Sequence, residues 1–442
     1  MLDAIRRRLV AGISLCLPFS LCDRARPAFA LRSAFNLRAT FAWLESGKAG
    51  RGAVILFGRG ITAALLVTVT GCAVGPDFAP PSAPVASNWL EWRNKSLQTG
   101  PEEYRDWWRV FHDPILDRLI DIAYSQNLTL LSAGTKVLQA RAALGIAIGE
   151  FYPQQQLAAG ATTYNLRSLS DASVVSLGTS ASANYWRALL GVQATWQLDF
   201  WGKFRRGVES ADSAYLASIA TYDDVLVTLL GDVASTYIGI RTIERQIAIA
   251  RENIVRQRGI VTIARDKYKG GAATLLDVYQ AENVLGATEA TVPQVTIQLQ
   301  QGLDALRVLL GMAPQPLGFL LARSTGEIPV APRKVVVGVP ADLLRRRPDI
   351  RAAELRAASQ SAQIGVATAE LYPAISILGT FGGSASTLLG GHLSNIFQPS
   401  GRNFTVGPSF QWNILNYGQI TNNVRLQDAT LQHISSITKI AF

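Results

Sequence analysis

The sequence predicts an α+β membrane protein in which one unit, a strand hairpin joined to a long helical hairpin, occurs twice. Three observations predict it. Two motifs recur about 220 residues apart, two eleven-residue segments alternate strictly between polar and apolar side chains, and a proline-free stretch of about 65 residues carries helical periodicity.

The repeat organises the rest of the chain. Ile146-Ala-Ile-Gly-Glu150-Phe-Tyr152-Pro153 is echoed by Val366-Ala-Thr-Ala-Glu370-Leu-Tyr372-Pro373, and a second pair aligns Trp196 with Trp412 and Gly202 with Gly418. These anchors divide the chain into residues 1–71, an N-terminal extension with a signal peptide; 72–111, a tether and N-terminal segment; 112–330, the first repeat; and 331–442, a second, incomplete repeat.

Each unit opens with a helix that stops at Tyr-Pro. In the first, Asp113 supplies an N-cap and Pro114 the first helical position, followed by Leu116, Leu119, Ile120 and Ala123 at helical spacing. In the second, Arg347-Pro348-Asp349 leads into an alanine-rich run.

The period then changes to two. From Leu190 to Phe200 the polar side is Gly191, Gln193, Thr195, Gln197 and Asp199; from Phe404 to Ile414 it is Thr405, Gly407, Ser409, Gln411 and Asn413. An apolar face backed by a polar one over such a length fits a transmembrane β-strand, and Tyr185, Trp186 and Trp201 fit its interfaces. Weaker strands precede each, at Gln155–Tyr164 and Ile375–Phe381. After Gly202 a helical pattern runs from about Phe204 to Lys269, long enough for roughly 100 Å of helix. Gly270-Gly271 ends it, and a second helix returns from about Thr274 to Leu310 with a kink expected at Pro293. Gly202 and Gly418 are the expected strand-to-helix turns.

Four strands cannot close a barrel, and open edges in lipid leave peptide groups unpaired, so the chain must oligomerise. Two copies would give eight strands filled by side chains; three would give twelve and a lumen lined by the polar faces.

Charge and composition exclude several function classes. The formal net charge of +10 suggests nucleic acid, but residues 1–71 hold ten Lys and Arg against three Asp and Glu, leaving the remainder near neutral. No nucleic-acid partner is expected. Cys16, Cys22 and Cys72 form no framework, and His112, His392 and His433 lie far apart, so no metal or cofactor is expected. No nucleophile, P-loop or dinucleotide motif is present, so no enzyme is expected. The apolar run from Ile61 is too short to span a bilayer and ends in Val69-Thr70-Gly71-Cys72, which resembles a bacterial lipobox with a covalent lipid, palmitate included, at Cys72. An earlier candidate leader runs from Arg6 to Ala30, and residues to about 50 read as an over-called start or an unused extension, with the working signal beginning near Arg51. The proline-rich Pro76–Pro84 reads as a tether.

These residues together resemble the TolC-like outer membrane factors, nearest the NodT/OprM lipoproteins. The motifs are Gly75-Pro-Asp-Phe after the lipobox, Trp107-Trp108-Arg-Val-Phe111-His-Asp113-Pro114, Leu198-Asp199-Phe-Trp-Gly-Lys203 and Val339-Pro-Ala-Asp-Leu-Leu-Arg-Arg-Arg-Pro-Asp349. The resemblance implies a homotrimer: a twelve-stranded outer-membrane barrel continued by a periplasmic helical barrel, with no enzymatic activity. It would serve as the passive exit duct of a tripartite efflux pump, docked on a periplasmic adaptor and an RND inner-membrane transporter. It implies a lipid-anchored outer-membrane location, and an adaptor-contacting tip at Tyr268, Gly271, Thr274, Leu276 and Asp277, with Lys267 where the family usually has Arg. After Gly418 only 24 residues remain. Against the first unit this leaves roughly 85 residues unmatched, so the sequence predicts a fragment that does not transport alone. The competing expectations are a non-functional relic or a lipid-anchored coiled-coil scaffold without a pore.

Overall fold

The change of period in the sequence is a change of architecture in the chain. The computed structural model describes residues 73–80, 97–99, 104–166, 183–321, 327–331, 335–337, 346–387 and 391–441. The lipobox residues Val69, Thr70, Gly71 and Cys72 lie outside the described residues, as does the earlier leader candidate.

In chain order the elements are β1 (Leu97–Thr99), a 3₁₀ segment (Tyr104–Phe111), α1 (Pro114–Gln126), α2 (Leu128–Glu150), β2 (Gln154–Leu166), β3 (Ala183–Leu198), α3 (Lys203–Lys269), α4 (Leu275–Leu309), α5 (Gly318–Leu321), β4 (Val335–Val337), α6 (Pro348–Ala369), β5 (Ala374–Ser386), two short 3₁₀ turns (Leu393–Phe397 and Pro399–Gly401), β6 (Arg402–Gln411) and α7 (Gln419–Ala441). The two hairpins merge into one antiparallel sheet of order β2-β3-β5-β6. β1 pairs in parallel with β4, Leu97 opposite Val335.

The opening helix of the first unit is two helices, a correction to the single helix expected. Asn127 closes α1 and opens α2: its side chain accepts from Leu130 N at 2.8 Å, and its Nδ2 donates to the Leu309 carbonyl at 2.9 Å. Apolar spacing continues through this cap, which is why periodicity alone does not reveal it. At the start of α1, Asp113 Oδ1 accepts from Ile115 N at 2.8 Å and Leu116 N at 3.3 Å, the cap that the sequence suggested.

α3 holds 67 residues, about 100 Å at 1.5 Å per residue. It ends in a Schellman turn, with Gly271 N bonded to the Tyr268 carbonyl at 3.0 Å, Ala272 N to the Lys267 carbonyl at 2.8 Å, and Gly271 at φ 73°. α4 runs back along it and continues through Pro293 as one helix. Towards the tip the pair is bridged by Arg258–Glu289 at 2.8 Å and Arg265–Glu282 at 2.6 Å. These pairs are exposed, so they set register more than they add stability.

A buried apolar cluster joins Ile115, Leu116 and Leu119 of α1 to Leu230, Val233, Tyr237 and Ile240 of α3, Leu306 of α4, and Leu320 and Leu321 of α5. Trp107, Trp108 and Phe111 pack against it. Apart from these three aromatic residues, which belong to the segment before it, the cluster lies in the first repeat, midway along α3 and away from the sheet.

Two further expectations need correction. β3 ends at Leu198 and β6 at Gln411, so Asp199 and Asn413 lie past the strand ends and are not strand residues. The expected tether, Pro76–Pro84, is not free at its start: Val74 N donates to the Trp201 carbonyl at 3.1 Å, and Asp77 pairs with Arg206 at 2.6 Å, while residues 81–84 lie outside the described residues.

Candidate functional site

The strand registers decide whether the two polar faces read in sequence coincide. Directly opposed residues in a sheet point to the same side. Gln156 pairs with Gln193, Gln193 with Thr380, and Thr380 with Thr405, so one polar row crosses all four strands. Gln197, Ser376 and Ser409 form a second row, Thr195 stands opposite Gln154, and Gln411 opposite Ala374. Leu378, opposite Thr195 and Gly407, interrupts this face.

One residue along, the other face gives the row Leu157, Val192, Phe381 and Phe404. These side chains are 77, 47, 63 and 70% exposed. Val406, Phe410 and Ile377 extend the same apolar band. So broad an exposed apolar surface on a sheet calls for a non-aqueous neighbour. β2 and β6 each have a single strand partner among the described residues, leaving two edges to be satisfied from outside the chain.

Both repeats make the turn from sheet to helix in the same way. Gly202 and Gly418 are left-handed, at φ 76° and 82°, a region that glycine enters without the penalty paid by other residues. Trp196 Nε1 donates to the Phe151 carbonyl at 3.2 Å, and Trp412 Nε1 to the Leu371 carbonyl at 3.0 Å. Each indole ties its strand to the end of the helix before it, a role the sequence alignment of the two tryptophans did not reveal.

Asp199 caps α3: its carboxylate accepts from Phe204 N at 3.1 Å and Arg205 N at 3.0 Å, with the Arg205 guanidinium beside it. Its side chain is 8% exposed. A position that continues the strand's alternation is thus recruited by the helix, whose first N–H groups need acceptors. Across the junction Trp201 stacks on Tyr372 at 4.6 Å and donates to the Pro373 carbonyl at 2.8 Å, while Lys203 pairs with Glu370 at 3.2 Å. A cavity of about 400 Å³ opens here, lined by Gln197, Asp199, Lys203, Glu370, Gln411 and Asn413. The structure therefore gathers polar residues from both units at the base of the sheet.

At the far end of the hairpin, Thr274 opens α4 with a capping box. Asp277 Oδ2 accepts from Thr274 N and Oγ1, both at 2.7 Å, and Thr274 Oγ1 accepts from Asp277 N at 3.3 Å. Val278 is buried, whereas Tyr268, Leu276 and Tyr279 are 45, 64 and 58% exposed. The hydrogen bond from the Thr274 hydroxyl, then that from its backbone N–H, holds the Asp277 carboxyl below its usual range. A lowered folded value means that this contribution is full above the unfolded value of about 3.9 and is lost as pH falls through the folded one. Hydrogen exchange over residues 272–282, corrected for intrinsic rates, is expected to rise selectively in that acid window. Asp277→Asn should raise it already at neutral pH; equal protection of both proteins at pH 7 would remove the capping argument.

Comparison with known proteins gives this arrangement a family. The model of the outer membrane efflux protein family matches residues 119–312 and 339–435. The chain belongs to that family. Nodulation protein T of Rhizobium leguminosarum bv. viciae is 30% identical over 375 residues, covering 84% of this chain and 73% of the relative. The toluene efflux pump outer membrane protein TtgF of Pseudomonas putida is 29% identical over 341 residues, covering 75% and 68%. Among solved structures, the outer-membrane channel OprN is 29% identical with a TM-score of 0.74, covering 83% of this chain and 79% of that one. The fold is that of a TolC-like outer-membrane channel, and outer membrane efflux proteins are non-enzymatic export ducts.

Proposed function

We propose that this chain is the exit duct of a tripartite efflux pump, acting as a homotrimer whose twelve strands close an outer-membrane barrel. The observation that carries this reading is the two-faced sheet. A continuous polar row and an exposed apolar row lie on opposite faces of a four-stranded sheet with open edges, joined directly to a helix of about 100 Å. Closing β6 of one copy on β2 of the next satisfies the edges without exposing peptide groups to lipid. Gln193, Thr195, Gln197, Ser409 and Gln411 then line the lumen, with Asp199 and Asn413 at its base.

In this reading the α3–α4 tip meets a periplasmic adaptor. Gly271 shapes the turn, Leu276 and Tyr268 offer apolar contact, and Thr274 and Asp277 hold the first turn of α4 in place. An RND inner-membrane transporter supplies the energy, since passage through the duct is passive. Cys72 carries the lipid, anchoring the chain on the periplasmic side of the outer membrane.

Two measurements test this. Reconstituted into planar bilayers, the full chain should give discrete conductance steps, and a charged thiol reagent should reduce them in Gln193→Cys but not in Val192→Cys. Absence of any conductance from inserted protein would favour a non-functional chain or a scaffold without a pore. Leu276→Asp should abolish cross-linking from the tip to the adaptor without changing conductance; full cross-linking would move the docking site away from the tip.

A further inference from the structure

The segment that follows the lipobox occupies a site prepared for it. Ala73–Asp77 lies where the first turn of α3 meets the last turns of α6, at the base of the sheet. Arg206 of α3, with a side chain only 7% exposed, donates Nε to the Val74 carbonyl at 3.3 Å. Its Nη2 donates to the Gly75 carbonyl at 3.4 Å and to Asp77 Oδ1 at 2.6 Å, and its Nη1 to Glu209 Oε2 at 2.8 Å. One guanidinium thus reads two backbone carbonyls and one carboxylate of a segment about 130 residues away in sequence, using the fork geometry that lysine lacks.

The close approaches point the same way. A Cβ on Gly75 would stand 2.4 Å from Gly365 Cα, one on Gly365 would stand 2.9 Å from the Val74 carbonyl oxygen and 2.8 Å from Arg206 Cγ, and one on Gly202 would stand 2.8 Å from Ala73 Cα. Gly365 lies inside α6, where glycine is disfavoured relative to alanine. The crossing with Gly75 gives that glycine its reason. Ser361, on the same helix, faces the Pro76 carbonyl at 3.5 Å. Both repeats therefore hold the segment, α3 from the first and α6 from the second.

We propose that Ala73–Asp77 is a clasp, bound at the strand-to-helix junction of the two repeats with Arg206 as its positioning residue, so that the anchor leaves the protein from one fixed point. Chain connectivity keeps residue 72 within one Cα step, about 3.8 Å, of Ala73. A loose tether would let the acylated end wander over many ångströms of depth and azimuth; a clasp ties the anchor to the base of the barrel. That purpose rests on the reading of Cys72 as the lipid attachment point, whereas the binding of the segment does not.

The test uses the full chain with its native leader, purified from outer membranes into nanodiscs and spin-labelled through Ala79→Cys and Asp212→Cys. With labelled chains diluted into unlabelled ones so that an oligomer carries one labelled copy, pulsed dipolar spectroscopy should give one narrow distance distribution. Arg206→Gln and Gly365→Val should each broaden it at least twofold, with Arg206→Lys between. A second label pair on α3 and α6, Asp212→Cys with Arg351→Cys, should remain narrow in all variants, separating release of the segment from unfolding. The Cys72→Ser chain should keep the narrow distance between positions 79 and 212. A broad distribution in the otherwise unsubstituted chain or in Cys72→Ser, or an unchanged one in both Arg206→Gln and Gly365→Val, would overturn the clasp. Failure of the chain to incorporate labelled palmitate would instead remove the anchor reading and leave the narrow distance standing.

Discussion

Phe381→Arg is expected to abolish stable insertion, while Thr380→Arg, one residue away, is expected to leave assembly intact. The two side chains lie on opposite faces of β5: Phe381 stands between Val192 and Phe404, and Thr380 between Gln193 and Thr405. On a lipid-facing position near the bilayer midplane an arginine costs about 2–4 kcal/mol, and every copy in an oligomer bears it. On the polar face the same guanidinium would stay hydrated in the lumen. Thr380→Arg should therefore insert normally but lower conductance and shift selectivity towards anions. Folding into lipid vesicles, followed by heat-dependent electrophoretic mobility across a urea series, separates the cases. If Phe381→Arg folds as well as the unsubstituted chain, the apolar row does not face lipid, and the strands belong to a scaffold that pairs in water.

The elements that could be read in the sequence are those whose signals are local. Gly270-Gly271 and Thr274 bound the helical hairpin within a residue of its observed ends, because helix ends are chosen by the chain's nearest neighbours. The cores of β3 and β6 were legible from alternation, and the registers then showed Gln193 and Ser409 on one face. The first half of β3 was not, since Leu189 and Leu190 are both apolar and the pattern fails there. Asp199 misled for the opposite reason: it continues the alternation, yet three-dimensional need for an acceptor at the start of α3 claims its carboxylate. What no local pattern could give is the clasp. Pro76 and Pro80 argue only against helix and central strand, and the partner that holds the segment, Arg206, is far away in the chain.

Tyr237→Ala is the second large effect, and it acts far from the sheet. The Tyr237 side chain is completely buried in the cluster formed by α1, α3, α4 and α5. Its hydroxyl donates to Asp113 Oδ2 at 2.6 Å and accepts from Arg241 Nε at 3.2 Å. Arg241, also buried, donates onward to the Leu321 carbonyl at 2.9 Å and to Glu244 at 2.7 Å. Burial, and then the hydrogen bond to Asp113, push the Tyr237 pKa upward, so the phenol stays neutral and can donate. Truncation to alanine removes a large aromatic ring and opens a cavity, at a cost of about 3–5 kcal/mol. Tyr237→Phe keeps the ring but leaves Asp113 Oδ2 and Arg241 Nε without this partner, which costs about 1–3 kcal/mol. Because Asp113 also caps α1 through its other oxygen, the loss reaches the start of that helix. Chemical denaturation followed by the helical circular-dichroism signal reads the change. The cluster contains no sheet residue, so the helical transition should move to lower denaturant while the strands keep their resistance. A single transition shifted as a whole would instead make the cluster and sheet one cooperative unit, with the long helix α3 transmitting stability from one to the other.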